Sequence, residues 1–195
     1  SGIATLSVNR AVASTAGNST AMSKGAPMKA TLPSSVAESS RSALKGWAML
    51  KFADNSRTVK PGNHWNQPHD ATVRVITQGL RDLGLLDGEV NELIETEACR
   101  PFYMHRAGHW LGMDVHDVGD YKVGDEWRVL EPGMVLTVEP GLYVRPGCRT
   151  APKEFRGIGI RIEDDVAVTR GIPDVLTGDL VKDPDDIERL MAARH

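Results

Sequence analysis

The sequence predicts an α+β protein, and three groups of stretches carry that prediction. "DATVRVITQGLRDLG" (70–84) and "GEVNELIETEA" (88–98) place apolar side chains at helical spacing. "GMVLTVEPGLYV" (133–144) and "GIGIRIEDDVAVT" (157–169) show the alternation that is typical of strands. "KDPDDIERLMAARH" (182–195) closes the chain with a third amphipathic helix.

The chain has 195 residues, 41% of them hydrophobic and 25% charged, which suits one packed domain or a large part of one. The two cysteines, Cys99 and Cys148, are too few for a disulfide framework or a thiolate zinc site, and they suit a reducing compartment. The net charge of −3 indicates no nucleic-acid partner, and no apolar run is long enough for a membrane span.

Residues 1–60 differ in character from residues 61–195. The first segment holds eight Lys/Arg against only Glu38 and Asp54, while the second holds 15 basic and 24 acidic residues. The stretch "STAGNSTAMSKGAPMKATLPSSVAESSRSAL" is rich in Ser and Ala and shows little apolar periodicity, apart from a short helical candidate near 44–52. Three interpretations stay open: a flexible tail, a transit-peptide-like leader, or a displaced or out-of-frame segment.

The helical stretches carry their own end signals. Asp70 is available as the N-cap of the first helix, and Gly84 can end it. Asp183 is expected to cap the last helix, with Pro184 in its first turn. The residues expected to face inward in that helix are Ile187, Leu190 and Met191.

The two β-rich stretches each present a glutamate. In the first, Glu139 lies with Thr137 on one face, just before Pro140-Gly141 breaks the strand. In the second, the isoleucines face one way, while Arg161 and Glu163 face the other. Such a charged cluster around a strand is not needed for packing alone.

Three of the six histidines fall within "YMHRAGHWLGMDVHD" (103–117): His105, His109 and His116. One imidazole with several carboxylates suits Mn²⁺, Co²⁺ or Zn²⁺, and such a site makes hydroxide from bound water. The remaining histidines could move protons or bind substrate. The residues by themselves therefore indicate a metal-assisted hydrolase, although they form no compact motif.

Three motifs in this order resemble the C-terminal signature of the bacterial Xaa-Pro aminopeptidases (aminopeptidase P): "YMHRAGHWLGMDVHDVGDY", "LEPGMVLTVEPGLYV" and "RGIGIRIEDDVAVT". The resemblance covers about residues 61–195 and implies the C-terminal part of a pita-bread peptidase domain, a curved antiparallel sheet with flanking helices. It also implies a two-manganese centre and peptide substrates with proline at the second position. A related prolidase-like dipeptidase is the neighbouring alternative.

The resemblance assigns roles residue by residue. His109 of "GHW" and Glu139 of "VEPG" match metal ligands, and Glu163 of "RIEDD" matches a ligand that bridges the metals. His105 of "YMH" and His116 of "DVHD" match histidines that bind substrate and help move protons. Arg161 matches an arginine that hydrogen-bonds near the metal carboxylates.

The family pattern also requires two upstream aspartates, which this chain does not show. Asp54 in "ADNSRTV" echoes one of them weakly, and the position eleven residues earlier is Ala43. We therefore expect one metal or none, and an impaired enzyme or a non-catalytic binding or regulatory protein. The incomplete sheet needs residues 1–60, or self-association into a homo-oligomer, to cover its free edge. The expected compartment is the cytoplasm, or the mitochondrion if residues 1–60 are a transit peptide.

Overall fold

The computed structural model describes residues 4–7, 12–15 and 55–193. Its helices are α1 (Gln67–Asp82), α2 (Val90–Glu95) and α3 (Pro184–Ala192). Its strands are β1 (Ala4–Ser7), β2 (Val12–Thr15), β3 (Lys122–Val123), β4 (Glu126–Trp127), β5 (Val135–Val138), β6 (Gly141–Tyr143), β7 (Ile158–Arg161), β8 (Asp164–Ala167) and β9 (Asp174–Val175). Asp54, the helical candidate at 44–52 and most of the basic segment lie outside these residues.

Helix α1 begins earlier than the sequence predicted. Its N-cap is Asn66, so the prediction that Asp70 caps the helix is wrong. Pro68 fits the first turn, where its missing N–H breaks no helical bond, and Asp70 lies in that turn as a favourable charge. The helix ends as expected, because Gly84 takes the left-handed backbone (φ 69°) just after it.

The core is divided into two apolar clusters. The first joins α1 to β6 and β7 and contains Ile76, Leu80, Leu142 and Ile160. The second lies under β5 and β8 and is built on Trp65, Trp110, Leu136 and Val166. The site described below lies where the strands pass from one cluster to the other.

One antiparallel register runs through four strands. Val138 of β5 pairs with Asp164 of β8, and Gly141 of β6 pairs with Arg161 of β7. In both ladders the numbers of two paired residues add up to 302, so the register does not shift between them. The two ladders are therefore one long hairpin that is interrupted in the middle. The single strand predicted over 157–169 is therefore wrong, since it breaks between Arg161 and Asp164. The break falls opposite Pro140, which cannot donate to a ladder.

Residues 107–111 run along the other side of β5 as an antiparallel segment. The N–H of Thr137 donates to the carbonyl of His109 (3.0 Å), and the N–H of Glu139 donates to that of Ala107 (2.7 Å). An antiparallel bridge between Trp110 and Leu136 continues this pairing. Its register places His109 beside Thr137 in the sheet.

Strand β1 fills the free edge of β7. The two strands are parallel, with Ser7 beside Arg161, and β2 pairs antiparallel with β1. The order of this sheet is β2-β1-β7-β6, so β1 is a parallel exception in an otherwise antiparallel arrangement. The pairing agrees with the expectation that residues 1–60 cover a strand edge of the incomplete sheet.

The last helix is capped as predicted but packs less than predicted. The carboxylate of Asp183 accepts from the backbone N–H groups of Asp185 and Asp186. Leu190 and Met191 are 54% and 64% exposed, so the prediction that they face inward is wrong. Just ahead of its first turn, the ammonium of Lys182 lies 3.0 Å from the Asp164 carboxylate, and within the helix Ile187 is half-buried. None of the helices in the described residues is long and apolar enough to cross a membrane.

Candidate functional site

Glu139 and Glu163 face each other at the interruption of the long hairpin. The common register of the flanking ladders pairs residue 139 with residue 163, which puts both side chains on the same face of the sheet. Both carboxylates are largely buried, with side chains 13% and 19% exposed. Two buried carboxylates opposite one another need a cation or a proton between them.

Arg161 supplies part of that positive charge. Its guanidinium lies 3.6 Å from a carboxylate oxygen of Glu139 and 3.9 Å from one of Glu163. It lies two residues before Glu163 and opposite Gly141, so it shares the face of the two glutamates. The structure thus brings Arg161 together with the two predicted ligands, although these distances are long for direct hydrogen bonds.

His109 approaches Glu139 from the neighbouring segment. Its Nε2 lies 3.6 Å from a carboxylate oxygen of Glu139. Its Nδ1 donates to the carbonyl of Trp110 at 2.9 Å, which leaves the lone pair on Nε2 facing the carboxylates. The orientation of this ring is that of a histidine able to bind a metal through Nε2.

Gly108 and Thr137 fix the backbone that carries His109. The N–H of His109 donates to the hydroxyl of Thr137 (3.0 Å). A Cβ at position 108 would lie inside contact distance of the Thr137 carbonyl oxygen, so only glycine permits this approach. Neither residue was given a role from the sequence, where Thr137 was placed only on the face of Glu139.

His116 packs against His109 from solvent. The two rings meet edge to face, with centroids 4.2 Å apart, and His116 is exposed. It is therefore accessible from solvent beside His109.

His105 reaches the site through Tyr143, a residue that the sequence analysis missed. The Nδ1 of His105 donates to the carbonyl of Arg106 (2.7 Å), so its Nε2 accepts from the Tyr143 hydroxyl at 2.9 Å. The Tyr143 hydroxyl also takes a hydrogen bond from Arg161. A continuous chain of polar contacts thus joins His105 to the two glutamates. The available signal was the position of Tyr143, two residues after Gly141 on the same face.

Burial and like charge govern the electrostatics of this site. Burial, and then the Glu139 carboxylate, raise the pKa of Glu163, while Arg161 opposes them. Burial likewise raises the pKa of the Tyr143 hydroxyl, which stays a neutral donor. The pair of glutamates is therefore poised to take up a positive charge.

The donor set fits a divalent cation in kind. It offers one imidazole nitrogen and two carboxylates, the mixture that Mn²⁺ and Zn²⁺ accept. Within residues 55–193 and the two short N-terminal strands, no three such side chains come together closely enough to hold an ion. His109 and Glu139 are near one another, and completing the site requires Glu163 to move closer or a donor from elsewhere.

The family model for metallopeptidase family M24 matches residues 51–170, well over half of the chain. The chain belongs to metallopeptidase family M24. A divalent metal is characteristic of such peptidases, and the site described above lies within the matched residues.

Relatives of this M24 chain are longer than it is. Xaa-Pro aminopeptidase of Escherichia coli is 52% identical over 137 residues, which are 70% of this chain and 31% of that protein. Xaa-Pro aminopeptidase of Haemophilus influenzae is 51% identical over 131 residues, 67% of this chain and 30% of that protein. The chain therefore spans about a third of the length of the curated relatives it matches.

Solved structures confirm the fold. The aminopeptidase PepP of Pseudomonas aeruginosa superposes with a TM-score of 0.70 at 59% identity, covering 78% of this chain and 34% of that one. A zinc-substituted E. coli aminopeptidase P in complex with product gives 0.70 at 46% identity, covering 80% and 34%. The α+β prediction, with the C-terminal part of a pita-bread fold, is thus confirmed.

Proposed function

We propose that this chain is the C-terminal catalytic part of an Xaa-Pro aminopeptidase, which releases the N-terminal residue of a peptide when proline follows it. One arrangement carries the proposal: Glu139 lies opposite Glu163, and Arg161 lies near both glutamates. The Nε2 atom of His109 lies 3.6 Å from a carboxylate oxygen of Glu139. The relatives that share this part of the chain are named Xaa-Pro aminopeptidases.

His109, Glu139 and Glu163 would hold the metal. A bound divalent ion supplies a nucleophilic hydroxide and polarises the scissile carbonyl. The chain's own residues then have separate tasks. Arg161 orients the two carboxylates, and Tyr143 holds His105 by a hydrogen bond so that its imidazole can bind substrate or pass a proton.

We further propose manganese as the metal, bound weakly and at no more than one site per chain. Three protein ligands with open positions can bind one catalytic metal. Within the described residues the family resemblance assigns only these three ligands, and Asp54 lies outside those residues. We expect activity orders of magnitude below that of an enzyme with the complete ligand set.

A non-catalytic binding protein is the second candidate. It is favoured by one observation, namely that no three donors in the described part of the chain come together as a metal cage. Retention of His109, Glu139 and Glu163 in one register speaks against it, because a decayed scaffold has no need of two opposed buried glutamates.

Release of the N-terminal residue from an Xaa-Pro-Pro peptide tests the proposal. We expect slow release with Mn²⁺, and none with a chelator or in Glu139→Gln. Glu97→Gln, an exposed change in the Glu97–Arg100 ion pair, is the matched control. Absence of manganese-dependent release from the unmodified chain would overturn the enzyme and leave the binding protein. Calorimetric titration with Mn²⁺ checks the metal, and two tight sites would contradict our expectation.

A further inference from the structure

A groove of about 930 Å³ runs from the start of α1 to the candidate catalytic histidine. Its walls come from the first turns of α1 and from the segment 94–106. His105 lines its inner end and is joined through Tyr143 to the glutamate pair. The groove is therefore connected to the candidate metal site through the hydrogen bond between His105 and Tyr143.

Most charged groups of the groove are already engaged by neighbours. Arg100 forms an ion pair with Glu97 at 2.8 Å. Arg74 donates to the side chain of Asn91 at 3.0 Å. Asp70 accepts from the side chain of Asn66 at 2.7 Å.

Arg106 is different. No carboxylate of the described residues lies within 4.0 Å of its guanidinium. Its central carbon lies over the Trp127 ring, 4.7 Å from the ring centre, a cation–π contact that uses the face of the guanidinium and does not occupy its N–H donors. Its backbone carbonyl accepts from His105 Nδ1, which ties the backbone of residue 106 to the His105 ring.

The positive charge of Arg106 also acts on His69, another residue in the wall of the groove. Burial, and then the Arg106 charge, lower the pKa of His69 to about 4, so His69 is neutral and adds no competing cation. The backbone of Trp127 is fixed by a hydrogen bond, in which its carbonyl accepts from His64 Nδ1 at 2.9 Å. Burial raises the pKa of Asp70, and the Arg106 charge opposes that rise, so this carboxylate of the groove lies within range of the guanidinium without forming an ion pair with it. Of the three arginines that line the groove, Arg106 is the one for which the described residues supply no hydrogen-bonded or ion-paired side chain, and it follows His105 directly in the chain.

We propose that Arg106 binds the C-terminal carboxylate of short peptides and so determines a preference of this site for peptides with a free C-terminus. A guanidinium presents paired N–H donors that match the two oxygens of a carboxylate. The proposal rests on the function proposed above and names its substrate class.

The affinity of the chain for a reaction product tests the carboxylate site at Arg106 separately from the proposed peptidase activity. Prolyl-alanine and its C-terminal amide contain no Xaa-Pro bond, so calorimetry of the full chain with Mn²⁺ measures their affinity without turnover. We expect the free acid to bind about tenfold more tightly than the amide, the order of magnitude of a charge-assisted pair. Arg106→Met should bring the two affinities within about twofold of one another, and Arg106→Lys should keep part of the difference.

Arg100→Met is the matched control, because it removes an arginine from the same groove that is already paired with Glu97. It should keep the full preference for the acid. Equal affinities in the unmodified chain, a preference that survives Arg106→Met, or no binding of either peptide would overturn the assignment. An Arg106-dependent preference in a chain that hydrolyses no Xaa-Pro peptide would support the carboxylate site and overturn the proposed activity.

Discussion

Glu139 and Glu163 occupy opposite positions of one antiparallel register, and both side chains are largely buried on the same face of the sheet. Like charges directly across a strand pair destabilise the folded state. The fold therefore maintains a repulsion that Arg161 relieves in part and that a bound cation or a proton would relieve further. Several consequences can be measured.

Replacement of Glu163 by Gln should stabilise the metal-free chain. Its pKa is raised in the fold by burial and by Glu139, so its ionised form disfavours folding above that pKa. We expect the free energy of unfolding at pH 8 with a chelator to rise by up to about 1 kcal/mol, with a smaller gain at pH 5. Urea denaturation measures both values. Glu97→Gln is the control and should show no such gain; a loss of stability at pH 8 in Glu163→Gln would contradict the prediction.

Replacement of Gly108 by Ala should displace the segment that carries His109. The added Cβ meets the backbone carbonyl of Thr137, which cannot turn aside as a flexible side chain would. We expect a loss of about 2–3 kcal/mol in the free energy of unfolding, together with weaker Mn²⁺ binding. Thermal denaturation and calorimetry measure the two effects. Gly147→Ala, where an added Cβ meets nothing within 4 Å, should be close to neutral.

Removal of the Tyr143 hydroxyl should weaken the link between His105 and Arg161. Tyr143→Phe leaves His105 Nε2 without its donor and takes an acceptor from Arg161. We expect about 1 kcal/mol less stability by urea denaturation and a shift of the His105 ring resonances. Tyr121→Phe removes a hydroxyl from the partly exposed ring that packs on Trp65 and should leave both measurements nearly unchanged. An unshifted His105 signal in Tyr143→Phe would refute the link.

The pH dependence of stability should include a contribution from His69. Burial lowers its folded pKa to about 4 from 6.5, so the unfolded chain takes up a proton between these values while the folded chain does not. Stability conferred by neutral His69 is therefore lost as the pH falls from 6.5 towards 4. After allowance for solvent screening, we expect a loss on the order of 1–2 kcal/mol. Urea denaturation at pH 7 and pH 4.5 should show this loss in the unmodified chain and in His64→Gln, but not in His69→Gln.

Parts of the site that depend on strand alternation were predictable from the sequence. Arg161 and Glu163 lie on one face because residues two apart in a strand do, and the interruption before Asp164 does not alter that. The convergence of Glu139 and Glu163 followed only from the family resemblance, because alternation alone does not show which residues of two distant strands pair. The contacts of Tyr143 with His105 and of Thr137 with His109 were not predicted for a similar reason, since they join segments far apart in the chain.

The errors arose where local signals competed with packing. Asp70 is a good capping residue, yet Pro68 lies two positions earlier and suits the first turn better, so the helix starts before it. Leu190 and Met191 have helical spacing, but spacing shows which residues share a face and not whether anything covers that face. Residues 1–60 gave no sign that positions 4–7 would pair with a strand of the family domain.

The pairing of Ser7 with Arg161 has a practical consequence for handling the protein. A purification tag or a fluorescent fusion ahead of residue 4 would be attached one strand away from the arginine that neutralises the glutamates. A proteolytic cut between residues 7 and 12 would free the same edge. Differences in metal affinity between preparations should therefore be compared first with the state of their N-termini.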